Sequence, residues 1–131
     1  MAGAGNRVDL EEVATSAGDR AGVVWTLEAG EDLNANLVRF DPGRGVGEHI
    51  NDEVDVLVLG VSGSGIVIVD GEEHALESGR LVFVPRGSRR CIRSASEGFA
   101  YLTVHRRRGP PGIGTRGDRA LSEGQGRKED A

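Results

Sequence analysis

His49, Asn51, Asp55 and Arg90 are the residues whose types and spacing can support chemistry in this chain. The first three fall in or beside "GEHINDEVDVLVLG" (47–60), where a histidine and several acids precede an apolar stretch. A histidine and a carboxylate can ligate a divalent metal, and a neutral imidazole can serve as a general base. Asn51 stands two residues after His49, which puts both on one face of a strand. An amide is a poor ligand for soft or borderline transition metals. Arg90 lies in "PRGSRRCIR" (85–93) and offers only donors on a permanent charge. Such a group repels a cation and orients a carboxylate or phosphate. Metal chemistry and anion binding are both open on these residues.

Other polar residues stand behind these four. Glu53 and His105 can join His49 in an enzyme site, His105 from the end of the last strand. His74 follows a turn in "EEHAL" and is expected to be an ordinary strand residue. Cys91 neighbours Arg90, so alternation turns it to the opposite face as a small buried hydrophobe. No catalytic serine order, phosphate loop or paired-cysteine zinc spacing is present. "GVSGSG" (60–65) lacks the Lys-Ser/Thr and helix that a phosphate loop needs.

The elements that must position these residues are mostly strands. "VDLEEVATSAG" (8–18) carries helix signals, with Asp9 as N-cap, Glu12 completing a capping box and Gly18 as the stop. From Val23 onward, "VVWTLE", "ANLVRF", "DVLVLGV", "RLVFVPRGS" and "FAYLTVH" read as strands bounded by turn residues. Asp70-Gly71 within "GIVIVDGEEHAL" predicts a two-residue hairpin. Short strands with frequent turns predict an all-β antiparallel barrel or sandwich. A hairpin between His49 and Asp55 would place Asp55 across from His49. In that phase Leu57, Leu59 and Val61 point inward, and Val56 and Val58 point outward.

Bulk properties narrow the function. At 131 residues there is room for one core. The expected parts are an N-terminal segment with a short helix (1–22), a barrel domain (23–108) and a disordered C-terminal tail (109–131). Net charge is −5, and residues 105–131 hold seven basic and four acidic side chains, so the main body is acidic. With aromatics at 4%, a nucleic-acid partner is not expected. No apolar run suits a bilayer, no signal peptide is visible, and one cysteine fits a cytoplasmic protein.

Two spacings carry a family resemblance. Gly43, five residues, His49, one residue, Asn51, three residues, Asp55 forms the first. Gly79, five residues, Pro85, one residue, Gly87, two residues, Arg90, three residues, Ser94 forms the second. They resemble the cupin motifs G(x)5HxH(x)3–4E(x)6G and G(x)5PxG(x)2H(x)3N, over roughly residues 35–105. With Asp55 as the acid, Gly63 falls one residue late. The resemblance implies a small cupin jelly-roll barrel, commonly a homodimer. In metal-binding cupins three histidines and a glutamate face the interior, and here His49, Asn51, Asp55 and Arg90 take those positions. The resulting expectation is a converted site, in which an Arg90–Asp55 pair replaces the metal and the pocket binds a small, anionic molecule. The alternative is a metal-dependent enzyme of dioxygenase, isomerase or decarboxylase type. It would hold Fe, Ni, Zn or Mn on His49 and Asp55.

Overall fold

β-Branched and apolar residues in alternation, cut by turn residues, give nine strands in the computed structural model, whose described residues are 6–107. One helix, α1 (Leu10–Ser16), precedes β1 (Gly22–Thr26), β2 (Leu33–Phe40) and β3 (Gly45–Ile50). They are followed by β4 (Val56–Ser62), β5 (Ser64–Val69), β6 (Glu72–Glu77), β7 (Leu81–Val84), β8 (Arg89–Ser94) and β9 (Phe99–Arg106). A five-stranded sheet has the order β1-β2-β9-β4-β7, and a four-stranded sheet has the order β3-β8-β5-β6. Every pairing is antiparallel. The all-β antiparallel architecture expected from the sequence is therefore the observed one. The expected C-terminal tail, 109–131, lies outside the described residues.

The main core sits between the sheets. Val38, Val58, Phe99 and Tyr101 from one sheet meet Val67 and Ile92 from the other. A second cluster lies on the outer side of the five-stranded sheet, where Ala14 of α1 packs with Leu37, Val61 and Ala100. The helix begins as its sequence dictates, with the Asp9 carboxylate accepting from the Glu12 N–H at 3.1 Å. Asp70-Gly71 joins β5 to β6 with both residues at positive φ, +50° and +85°, the conformation that a type I′ turn requires. The described residues contain no helix long and apolar enough to cross a membrane.

The strand phase at β4 corrects the sequence reading. Val54, Val56 and Val58 are buried in the interior, while Asp55 and Leu57 face outward and are exposed. Val61 is buried, but in the cluster beneath α1. The reason is desolvation. An inward Asp55 would need a partner in an apolar interior, whereas valines gain by burial there. Outside, the Asp55 Oδ1 accepts the Arg86 N–H at 2.8 Å and ties the β3–β4 loop to the β7–β8 turn.

Candidate functional site

Motif positions converge where β3 and β8 pair. His49 and Arg90 are direct cross-strand partners, so their side chains share the inner face of the four-stranded sheet. Arg90 also pairs with Val69 of β5. The β7–β8 turn, Pro85 to Ser88, closes over this end and is fixed by the Gly87 N–H donating to the Asn51 carbonyl at 2.8 Å. Gly87 holds a φ of +87° there, a conformation that side chains resist.

Arg90 is 1% exposed and is held at fixed points. Its Nε donates to the Ser88 carbonyl at 3.1 Å. Its Nη2 donates to the Pro85 carbonyl at 3.0 Å and to Ser88 Oγ at 3.3 Å. Nη1 is buried and has no hydrogen-bond partner among the described residues. Burial pushes the guanidinium pKa down, and the Asp70 carboxylate pulls it back up. The carboxylate that acts on Arg90 is thus Asp70, which also accepts the Arg89 N–H at 2.8 Å.

The expected Arg90–Asp55 pair is not formed, because Asp55 is exposed and turned to the Arg86 backbone. Asn51 is half-buried, and its side-chain oxygen accepts the Glu53 N–H at 2.9 Å, an Asx-type turn. His49 is half-buried, with Nδ1 2.9 Å from the Gly47 carbonyl. His105 is buried on β9 of the opposite sheet, with Nδ1 2.8 Å from the Arg106 carbonyl. His74 is the strand residue expected, 4.0 Å from Glu72. Cys91 is only half-buried, not the buried hydrophobe expected, since β8's outer face is partly open to solvent.

The phase of β4 also resolves the misplaced glycine. The cupin motif permits four residues between its second histidine and its acid. With that spacing the acid position is Val56, and Gly63 falls into register. Val56 points into the core and is 1% exposed. The four ligand positions are then His49, Asn51, Val56 and Arg90. One is a good metal donor, one is an amide engaged in a turn, one is a hydrocarbon and one is a cation. This set does not fit a divalent metal. No group of three His, Cys, Asp or Glu that could hold a metal ion occurs among the described residues.

Sequence reasoning missed Tyr101 and Thr103. Both are fully buried on the inner face of β9, and the hydroxyl of each lacks a hydrogen-bond partner among the described residues. The signal was the period of two in "FAYLTVH", which puts Phe99, Tyr101, Thr103 and His105 on one face.

Comparison with known proteins agrees with this fold. The cupin domain family model matches residues 36–105, and the chain belongs to the cupin family. Among curated proteins it is similar to the dimethylsulfoniopropionate lyase DddW of Ruegeria pomeroyi. The two are 29% identical over 105 residues, spanning 72% of this chain and 68% of that protein. Among solved structures it resembles BH2720 from Bacillus halodurans, with TM-score 0.65, 19% identity, and 79% and 83% of the two chains covered. TT1209 from Thermus thermophilus gives TM-score 0.63 at 24% identity, covering 79% and 98%. KdgF from Halomonas sp. gives 0.61 at 20%, covering 68% and 81%.

Proposed function

We propose that this cupin binds a small carboxylate or similar oxyanion inside its barrel through Arg90, without a tightly held transition metal. The observation that carries this reading is the orphan Arg90 Nη1, a charged donor that is buried and unpartnered among the described residues. Burying such a donor without a partner is costly, and an oxyanion meeting it would form a charge-assisted hydrogen bond. The metal-dependent alternative needs donors that Asn51, Val56 and Arg90 do not supply. The substrate named for the DddW relative is a propionate, which is a ligand of the proposed class. A thermal-shift and calorimetric panel of small carboxylates and inorganic phosphate tests the reading. At least one carboxylate should stabilise the protein, and silence across the panel would overturn it.

The likeness to a lyase favours a second reading on the same site. His49 would take a proton from the carbon next to a carboxylate held by Arg90, the C–H electron pair forming a double bond to the following carbon as that carbon's leaving group departs with its bonding pair. Proton NMR of each binder incubated with the protein separates the two readings, since a substrate would be consumed and a ligand would not.

For a partner, we propose a second copy of the chain, in the cytoplasm that the single cysteine suits. The outward residues of β4 are Leu57 and Leu59, not the Val56 and Val58 expected. Leu57 pairs with Phe83, and Leu59 with Leu81, on the outer face of the five-stranded sheet. Leu57, Leu81 and Phe83 are 41%, 58% and 55% exposed, an apolar surface that α1 leaves uncovered. Asp55 and Arg106 are also exposed, on the neighbouring strands β4 and β9 or their ends. Their opposite charges let a twofold-related copy bring unlike groups together. Light scattering after size exclusion should give a dimer, with Phe83→Asp monomeric. A monomeric wild type at tens of micromolar would refute it.

A further inference from the structure

Three buried polar side-chain atoms among the described residues lack a hydrogen-bond partner: Arg90 Nη1, Tyr101 Oη and Thr103 Oγ1. Buried hydroxyls are ordinarily satisfied, so each orphan marks a missing partner. All three side chains border the interior between the two sheets. Tyr101 belongs to the same cluster as Ile92 of the opposite sheet, and Ile92 is the next inward residue of β8 after Arg90. Thr103 is the next inward residue of β9 after Tyr101, and it pairs with Val58 of that cluster and with Asn36.

The Asn36 side-chain oxygen accepts from the Thr26 hydroxyl at 2.8 Å, and no atom of Asn36 hydrogen-bonds Thr103 Oγ1. The Tyr101 ring is fixed against Phe99, with centroids 5.3 Å apart, and beside Phe40 at 6.4 Å. Burial pushes the Tyr101 pKa up, so Oη keeps its proton and stays a donor. Thr103 Oγ1 can both donate and accept. Positive charge is therefore offered by Arg90 on one sheet, and neutral hydroxyls are offered by β9 on the other.

We infer that the ligand is a small acid carrying a second, uncharged oxygen function, a hydroxy acid or keto acid. Its carboxylate lies on Arg90 Nη1 and its second oxygen meets the hydroxyls of Tyr101 and Thr103. This rests on the anionic-ligand reading above and defines the other end of the same site. A second carboxylate is a poorer match at that end, because an ionised group there would meet hydroxyls without a countercharge.

Calorimetry with matched acids tests the inference. The probes are propionate, butyrate and their hydroxy and keto derivatives, the oxygen placed at each available carbon. At least one oxygenated acid should bind about tenfold or more tightly than its parent, the size expected when a site built to hydrogen-bond an oxygen loses it. Thr103→Val and Tyr101→Phe should each bring that ratio toward one. Thr103→Val is close in shape and removes an orphan hydroxyl, so its ligand-free melting temperature should be no lower than wild type. A ratio near one in wild type, as when ordered water satisfies the hydroxyls, overturns the inference. So does a preference that survives both substitutions. If the acids bind alike and Arg90→Met alone sharply weakens binding, the anionic-ligand reading stands without this extension. If no acid binds wild type, both fall.

Discussion

Arg90→Met is expected to weaken carboxylate binding sharply while leaving the barrel folded. A hydrogen bond to a charged group contributes about 1.5–3 kcal/mol, so affinity should fall roughly ten- to hundredfold. The effect on stability should be small because two terms oppose. Methionine removes a desolvated charge, but it leaves the Ser88 carbonyl without its Arg90 Nε donor. The Pro85 carbonyl is less affected, since it also accepts from the Ser88 N–H at 3.1 Å and from Ser88 Oγ at 2.7 Å. Asp70, the carboxylate that acts on Arg90, is exposed, so the substitution leaves no buried opposite charge behind. Denaturant unfolding should therefore place Arg90→Met within about 2 kcal/mol of wild type. Equal carboxylate affinity in the two proteins would put the anion somewhere other than Arg90.

Phe99→Ala is expected to produce the largest loss of stability, about 3–5 kcal/mol. Phe99 is fully buried, and its ring lies where Gly65 of the facing sheet has no side chain. The phenyl group is thus one of the contacts that hold the two sheets together. Domains of this kind are stable by only about 5–15 kcal/mol, so the variant would approach the unfolding threshold at physiological temperature. It would also release Tyr101 from one of its two aromatic neighbours. A midpoint shift in chemical denaturation equivalent to less than about 1 kcal/mol would mean the interior repacks around the gap.

Much of the fold was legible because its turns are chemically specific. Asp70-Gly71 fixed a hairpin, the Asp9 cap and Gly18 stop bracketed the helix, and the motif glycines sit where positive φ is needed, at Gly43, Gly79 and Gly87. β8 was harder, since "RRCIRS" has one aliphatic residue, Ile92, and reads first as a basic cluster. Its strand character comes from pairing with both β3 and β5.

The site was legible in part. The expectation that His49 and Arg90 line one pocket rested on the resemblance of the two spacings to the cupin motifs, and in the structure the two residues are cross-strand neighbours of β3 and β8. The role given to Asp55 failed because a carboxylate at the expected spacing was taken to set the phase of β4. Burial of Val54, Val56 and Val58 sets that phase instead, and it leaves the charge outside. Tyr101 and Thr103 were hidden for a related reason. Inward polar residues on an apolar strand look like part of the core until their hydroxyls are found without partners.

Beside His49 the motif positions hold an amide, a valine and an arginine, so we propose that the protein keeps no tightly held metal. Metal analysis tests it most directly. The protein would be loaded with iron, zinc, nickel or manganese, desalted, and assayed beside His49→Ala. Bound metal should stay well below one equivalent and should not depend on His49. One equivalent retained by wild type and lost in His49→Ala would contradict the claim.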